Sequence, residues 1–237
     1  MSFYTSTECL LPLDDGAKDR MSITAWLSHL SDWLCGPLVA RAARKYSNII
    51  RTPIHFAEML FLVEDKRFSV HFGIDPIAIV RAMAFNLRQG SLQGGSTIAQ
   101  QIVTIRMARS SRISRSLAYK LTQVARALGE SAVRSKASLL KEYIETVYWG
   151  RCYHGLDRAV EGYFGGKRTS LSVAQSFFLA ERIAAPNRVS AKRISNLLER
   201  APIKMNIVRN GTTIAEVLKV YQQVYGNGGD VWQPLVK

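Results

Sequence analysis

Residues 59–73 read MLFLVEDKRFSVHFG, and this stretch decides how the rest of the chain is interpreted. The apolar run from Met59 to Val63 is followed at once by the carboxylates of Glu64 and Asp65. These carboxylates are therefore expected at the end of a buried helix. Burial raises the pKa of a carboxyl group, and a raised pKa suits proton transfer near neutral pH. Taken alone, the segment also fits a charged loop in solvent.

Two further segments carry residues that helix packing alone does not require. Residues 94–101 read GGSTIAQQ, in which two glycines free the backbone and Ser96 can cap the following helix. A free helix N-terminus binds phosphate, although a simple helix cap explains the same residues. Beyond it, cations recur every three residues and are followed by a lysine: Arg106, Arg109, Arg112, Arg115 and Lys120. That density suits a diphosphate, a nucleic-acid backbone or a solvated cationic loop.

The hydrophobic spacing after residue 53 is that of helices, and alternation of strand length is scarce. The dipeptide Asp75-Pro76 predicts a helix start with Asp75 as N-cap, and Ser135 predicts another. Residues 196–209 and 212–225 are predicted as two more helices. The sequence therefore predicts a mainly α domain.

Residues 1–50 are predicted as an N-terminal extension ahead of a domain over residues 51–237. Within the extension, apolar residues recur at helical spacing from Met21 to Ala40, and cations follow them. One interpretation is an amphipathic helix lying in a membrane interface, and the alternative is a surface helix packed on the domain. No signal peptide is visible, and no apolar run reaches the ~18 residues of a spanning helix.

Composition and charge narrow the class of protein. The 237 residues include 32 Lys and Arg against 18 Asp and Glu, for a formal net charge of +14. Such an excess implies an anionic partner, which could be nucleic acid, acidic lipid or a phosphorylated substrate. A hydrophobic content of 47% excludes an intrinsically disordered chain. The three cysteines form no CxxC pair and have no histidine at ligand spacing, so no zinc site is predicted.

In their order and spacing, the segments resemble the peptidoglycan glycosyltransferases, which include the transglycosylase domain of penicillin-binding proteins. The family pattern E-D-x-x-F-x-x-H-x-G is met by five residues: Glu64, Asp65, Phe68, His71 and Gly73. The pattern G-x-S-T-I-x-Q-Q is met by six more: Gly94, Ser96, Thr97, Ile98, Gln100 and Gln101. The resemblance covers residues 52–190 and implies a mainly α, lysozyme-like fold with a large lobe and a small mobile lobe.

The resemblance also implies a reaction, the polymerisation of lipid II, a disaccharide-pentapeptide on a polyprenyl diphosphate. By motif position, Glu64 is the expected base, and Arg115 and Lys120 are expected on the diphosphate. The residues expected to line the cleft are Ser96, Gln100 and Gln101. Those expected to be structural at the site are Asp65, Phe68, His71 and Gly73. No cofactor is firmly implied, although Mg²⁺ or Mn²⁺ could accompany the diphosphate.

One position in the implied site departs from the family pattern. The third motif, K-x-x-E-x-x-x-A, is met by Lys120 and Ala127, but its glutamate is replaced by Gln123. Glutamine keeps a hydrogen-bonding oxygen but cannot carry charge or take a proton. Elsewhere, Gln175 stands for the glutamate of the family's L-T-L-A-E helix, and Thr104 stands where the family usually has lysine.

These observations leave four functions open. The first is an active glycosyltransferase with Glu64 as base, and the second is a catalytically impaired relative that binds lipid II or cell-wall components as a regulator or scaffold. The second is motivated by Gln123 and Gln175. The third is a lysozyme-like enzyme that cleaves peptidoglycan with Glu64 as a lone acid. The fourth, a nucleic-acid binder, rests on charge alone and is the least favoured.

If the chain is an active glycosyltransferase, the geometry of its site and its partners can be predicted. Glu64 and Gln123 should face each other across one cleft, with Arg115 and Lys120 nearby. Expected partners are lipid II, a membrane surface and cell-wall synthesis proteins. The family implies a membrane-associated protein on the periplasmic side. Since neither a signal peptide nor a spanning helix is visible, a cytoplasmic location stays open.

Overall fold

The computed structural model describes residues 23–89, 95–110 and 116–226 of the chain. Its elements in chain order are α1 Ile23–Ile50, α2 Ile54–Glu64, α3 Pro76–Gln89, α4 Ile98–Ser110, α5 Leu117–Val133, α6 Lys136–Thr146, α7 Leu156–Phe164, a 3-10 turn Arg168–Ser170, α8 Val173–Ala184, α9 Ala191–Leu198, α10 Ala201–Arg209 and α11 Ile214–Tyr225. Within these residues, β structure is limited to one isolated bridge between Tyr148 and His154. The predicted mainly α class is confirmed.

Helix α2 lies at the centre of the fold. Its sequence, IHFAEMLFLVE, is apolar around most of its circumference, and residues 56–62 are all buried. A helix with no polar stripe is stable in water only where neighbours cover it on every side. Helices α1, α8 and α10 pack against α2 and provide that cover. Because α2 ends at Glu64, the core holds this carboxylate at the C-terminal end of a fixed helix.

A buried carboxylate ties α10 to α2. Glu58 is 6% exposed, accepts a hydrogen bond from Asn206 Nδ2 at 2.5 Å and pairs with the exposed side chain of Arg209. A buried carboxylate needs such partners, because burying a charge without compensation is costly. Glu58 therefore holds α10 in one register against the central helix.

Two predicted helix starts and one predicted helix range are confirmed, and another predicted range is wrong. The Asp75 carboxylate accepts the Ala78 N–H at 3.0 Å, and the Ser135 hydroxyl accepts the Ser138 N–H at 3.1 Å. Helix α11 lies within the predicted 212–225 range. The single helix predicted over 196–209 is wrong, because α9 ends at Leu198 and α10 begins at Ala201. Proline in the first turn of α10 favours a new helix start there.

Helix α1 ends at Ile50, the last residue of the predicted extension. Its second half buries Val39, Ala43 and Tyr46 in the same core as α2. The described part of the predicted extension is therefore continuous with the core of the domain. The side chains of residues 23–34 lie outside the described residues, so the membrane interpretation of this helix stays a prediction. No helix of the described residues combines the length and apolar character needed to cross a bilayer.

Candidate functional site

Glu64, the expected base, lies partly buried at the end of α2. Its Oε2 accepts a hydrogen bond from Gln101 Nε2 at 2.7 Å. Burial raises the pKa of Glu64 to about 7, against the opposing effects of the Gln101 hydrogen bond and the positive charge of Arg193. A carboxyl group with this pKa is present in both protonation states at neutral pH and can therefore accept or release a proton.

Tyr143 on α6 orients the amide that contacts Glu64. The buried Tyr143 hydroxyl donates to Gln101 Oε1 at 2.7 Å. Burial raises the pKa of Tyr143 well above its usual value, so the hydroxyl keeps its proton. Since the amide oxygen of Gln101 faces Tyr143, its NH₂ group faces Glu64. The motifs did not point to Tyr143, which the helical pattern treats as one more residue of a buried stripe.

Asp65 and His71 form a hydrogen-bonded pair beside Glu64. Both side chains are buried, and His71 Nε2 lies 2.9 Å from Asp65 Oδ1. The other oxygen of Asp65 accepts the backbone N–H of Ile98 at 3.0 Å. A carboxylate at this position is favoured by the free N–H groups of the first turn of α4. The pair therefore joins the first motif to the helix that carries the second.

Phe68 and Gly73 shape the loop between α2 and α3. Phe68 is 1% exposed and stacks on Phe61 with ring centroids 5.2 Å apart. Gly73 adopts a φ of +79°, and a Cβ there would overlap the backbone carbonyl of Ala127 on α5. Glycine is required on both counts, because L side chains disfavour this φ and the space is already filled. The Gly73 carbonyl accepts a hydrogen bond from the Thr97 hydroxyl at 2.5 Å.

The predicted helix cap at Ser96 is wrong by one residue. The Thr97 hydroxyl accepts the Gln100 N–H at 3.2 Å, and Gln100 Oε1 accepts the Thr97 N–H at 2.9 Å. This reciprocal arrangement is a capping box. Ser96 instead accepts a hydrogen bond from Lys120 Nζ at 3.2 Å. Gln100, expected to line a cleft, is 1% exposed and its side-chain oxygen is used in this cap.

Gln123, expected to stand in place of a family glutamate, forms hydrogen bonds through both the oxygen and the nitrogen of its amide. Its oxygen accepts a hydrogen bond from Lys120 Nζ at 2.5 Å. Its nitrogen donates to the Gln100 carbonyl at 3.2 Å and to the Thr104 hydroxyl. Thr104 and Gln123, the positions where the resemblance implies a lysine and a glutamate, therefore contact each other. Together they form a neutral hydrogen-bonded pair.

Of the remaining residues expected at the site, some are not described by the structure and one is largely exposed to solvent. Arg115 and Gly94 lie outside the described residues. Lys120 is largely exposed, and its partial burial lowers its pKa. Glu64 and Gln123 are connected through α4, because Glu64 contacts Gln101 whereas Gln123 contacts Gln100 and Thr104.

Gln175 has a structural role in the cap of α8. Its side-chain oxygen accepts the Ser172 N–H at 2.9 Å, and its own N–H donates to the Ser172 hydroxyl at 3.1 Å. Glutamate and glutamine serve equally well at this position of a capping box. The side chain of Gln175 is therefore used in the cap of α8.

The described side chains do not by themselves form a complete set of metal ligands. No three of their His, Cys, Asp and Glu residues gather in a group that could hold one. The oxygen of Gln123 faces the ammonium group of Lys120, and Asp65 is engaged by His71 and Ile98. The Mg²⁺ or Mn²⁺ considered above would take part of its ligands from the substrate diphosphate, and it stays a prediction.

Comparison with known proteins places this architecture in a family. The family model described as Transglycosylase matches residues 34–211. Among similar proteins, penicillin-binding protein 1A of Aquifex aeolicus is 34% identical over 145 residues, which is 60% of this chain and 19% of the relative. Penicillin-binding protein 1A of Streptococcus pneumoniae is 32% identical over 136 residues, 57% of this chain and 19% of the relative.

A third relative matches a longer part of the chain. Penicillin-binding protein 1B of Haemophilus influenzae is 31% identical over 168 residues, 68% of this chain and 21% of the relative. The chain thus spans about one fifth of the length of these relatives. The family model, by contrast, covers most of the chain, including both motifs and the helices that position them. The chain therefore belongs to the transglycosylase family.

Proposed function

We propose that this chain is a peptidoglycan glycosyltransferase that polymerises lipid II with Glu64 as the general base. The observation that supports the proposal is the state of Glu64, which accepts a hydrogen bond from Gln101 and has a pKa of about 7. A base with a pKa near the working pH combines a useful deprotonated fraction with enough basicity to take a proton. A solvated loop carboxylate would have neither property.

The reaction requires a group that accepts the proton of the attacking hydroxyl and a positive charge that stabilises the leaving diphosphate. The 4-hydroxyl oxygen of one substrate forms a bond to the anomeric carbon of the other, and the bond from that carbon to the diphosphate breaks. The hydroxyl proton passes to Glu64, and the diphosphate leaves with the electron pair. Lys120, which already donates to Ser96 and Gln123, is proposed to stabilise the negative charge on the leaving group.

Polymerisation of labelled lipid II by the purified chain tests the proposal. We expect glycan strands from the unaltered chain and none from Glu64→Gln, which keeps the shape of the side chain but cannot accept the proton. Glu145→Gln, at an exposed position of α6, is the matched control and should retain activity. Absence of glycan above the Glu64→Gln level, where a family member works under the same conditions, contradicts the proposal.

A second candidate function is favoured by the neutral pair of Gln123 and Thr104. In this alternative, the chain binds lipid II or another cell-wall component without polymerising it and acts as a regulator or scaffold. Restoring the family residues in Thr104→Lys/Gln123→Glu separates the two candidates. If the unaltered chain does not polymerise lipid II and the double variant does, the second candidate is supported. If the unaltered chain neither polymerises nor binds lipid II, both candidates are contradicted.

Association with a membrane surface, on the periplasmic side in keeping with the family, is part of the proposal. Between residues 70 and 80, the described chain exposes four apolar side chains: Val70, Phe72, Ile77 and Val80. Phe72 is 78% exposed, which is unusual for an aromatic residue in a monomer. Sedimentation with vesicles tests this part, and Phe72→Ser should weaken it. Equal sedimentation of both proteins would contradict it.

A further inference from the structure

Glu181 on α8 is a buried carboxylate that the proposed reaction leaves unused. Its side chain is fully buried, and its Oε2 accepts hydrogen bonds from Arg182 Nε at 2.7 Å and from the Tyr221 hydroxyl at 3.0 Å. The other oxygen, Oε1, is buried without a hydrogen-bond donor among the described residues. Arg193 Nε of α9 lies 3.3 Å from this oxygen and forms an ion pair with it. One oxygen of Glu181 therefore fixes the carboxylate, and the other holds Arg193.

Arg193 is placed where its own helix does not favour a cation. It lies in the first turn of α9, where its backbone N–H donates to the Ser190 hydroxyl at 3.4 Å. Positive charge near a helix N-terminus is disfavoured, because the N–H groups there already carry partial positive charge. The side chain of Arg193 is 34% exposed, so it lies between the protein interior and the solvent. The stability of α9 therefore gives no reason for an arginine at this position.

Glu64 and Glu181 lie at the same end of two parallel helices. His55, in the first turn of α2, contacts the Leu171 carbonyl just before α8, with its Nε2 2.8 Å from the oxygen. Since α2 and α8 also pack closely against each other, the two helices run in the same direction. Glu64 follows His55 by nine positions and Glu181 follows Leu171 by ten, and a helix rises by about 1.5 Å per residue. The end of α2 therefore lies beside the part of α8 that holds Arg193.

Arg193 opposes the effects that keep Glu64 protonated. Glu64 is the last residue of α2, and negative charge is disfavoured at a helix C-terminus. Burial is the largest influence on the pKa of Glu64 and raises it, and the neighbouring charge of Asp65 raises it further. The Gln101 hydrogen bond and the positive charge of Arg193 lower it. Tyr143, which faces the site from α6, keeps its proton and adds no charge. Arg193 therefore supplies positive charge that favours the ionised base.

We propose that Arg193 is a positioning residue for the reaction: Glu181 holds it at the end of α8, and its charge stabilises the ionised form of Glu64 that accepts the substrate proton. The role depends on Glu64 being the base, as proposed, and Arg193 belongs to neither motif. Arg193 acts here through Glu64 and forms no bond to the substrate. Because Glu181 offsets part of its charge, the effect on Glu64 is moderate.

Titration of the Glu64 carboxyl group by ¹³C NMR tests the role of Arg193 directly. Arg193→Gln should raise the pKa of Glu64 by roughly half a unit to one unit, because a nearby opposite charge is lost. Arg193→Met, which keeps the aliphatic part of the side chain, is a second neutral variant and should shift the titration in the same way. Arg193→Lys keeps the charge and should restore most of the original value. Lys192→Gln is the matched control, since it removes one positive charge from an exposed neighbour on α9 and should leave the titration unchanged.

The pH dependence of lipid II polymerisation separates this role from two others. At pH 6, below the pKa of Glu64, Arg193→Gln should be about three- to tenfold slower than the unaltered chain, because a smaller fraction of the base is ionised. At pH 9 the two should be nearly equal, with similar KM. An equal loss at both pH values would indicate a purely structural arginine. A higher KM at both would place Arg193 on the substrate, and either result overturns the inference.

The two measurements also separate the role of Arg193 from the proposed function. If the chain polymerises lipid II but neither Arg193→Gln nor Arg193→Met shifts the titration of Glu64, the inference is overturned and the proposed function stands. If the titration shifts in both variants but the unaltered chain forms no glycan, the proposed function is contradicted, whereas the electrostatic control of Glu64 by Arg193 is supported. An equal shift in Lys192→Gln would show an effect of net charge alone and would also overturn the inference.

Discussion

The side-chain amide of Gln101 lies 2.7 Å from the carboxylate of Glu64 and donates a hydrogen bond to it. The two residues are 37 positions apart in the sequence and come from the first and second motifs. Two effects act on the pKa of Glu64 in opposite directions. Burial raises it by favouring the protonated carboxyl group, whereas the hydrogen bond from the Gln101 amide lowers it by favouring the charged one. The balance between these two effects leads to the first two predictions.

Glu64→Gln should stabilise the protein at alkaline pH. The pKa of Glu64 is about 7 in the folded chain against 4.5 for the ordinary group, so the unfolded chain ionises first. Stability from this group is therefore present below the lower value and is lost as the pH rises towards 7, by at most about 3 kcal/mol. Urea unfolding should show Glu64→Gln more stable at pH 8 and nearly unchanged at pH 4. An equal gain at both values would refute the assigned cause.

Tyr143→Phe should raise the pKa of Glu64. Without the hydroxyl that fixes its oxygen, the Gln101 amide can turn, and the hydrogen bond that favours ionised Glu64 is weakened. A neutral hydrogen bond is worth about 1 kcal/mol, which corresponds to a shift of roughly half to one pKa unit. Carboxyl ¹³C titration by NMR measures it, with Glu64→Gln used to assign the signal.

The control for this prediction is Tyr148→Phe, since the Tyr148 hydroxyl donates to Asn187 at 2.9 Å and not to Gln101. It should leave the titration of Glu64 where it was. If Tyr143→Phe also leaves it there, Tyr143 packs the core without orienting the amide.

Gln123→Glu should destabilise the chain above neutral pH, by about 1–3 kcal/mol. An ionised carboxylate cannot donate to the Gln100 carbonyl, which lies 3.2 Å from the present amide nitrogen. The double variant Thr104→Lys/Gln123→Glu should recover part of this loss, because it places a second cation, in addition to Lys120, beside the new carboxylate. A double-mutant cycle of unfolding free energies measures the coupling, and strict additivity would show that the two positions are independent.

Gly73→Ala should destabilise the fold by about 2–4 kcal/mol. The new methyl group would overlap the Ala127 carbonyl while the backbone is held at a φ of +79°. Gly129→Ala is the matched control, because Gly129 lies inside α5 with open space around its Cβ position. It should stabilise the helix by about 0.5–1 kcal/mol. Chemical denaturation compares the two, and equal effects would contradict this role for Gly73.

Much of the local structure could be predicted, because capping and hydrophobic spacing act over a few residues. Asp75 and Ser135 begin helices for this reason, and the apolar run of α2 is buried as its composition predicts. The same reasoning chose Ser96 over its neighbour Thr97 as a cap, although both carry a suitable hydroxyl. Which of two adjacent hydroxyls caps α4 depends on Gly73 and Lys120, which contact them from other segments.

The sequence alone determined the helical class, the family resemblance and the identity of Glu64 as the expected base, since each depends on residue type and spacing along the chain. Only the tertiary structure decided that Tyr143 orients Gln101 and that Thr104 contacts Gln123. These contacts join different helices. Their geometry follows from how the helices pack around α2. The spacing of residues within any one helix does not predict it.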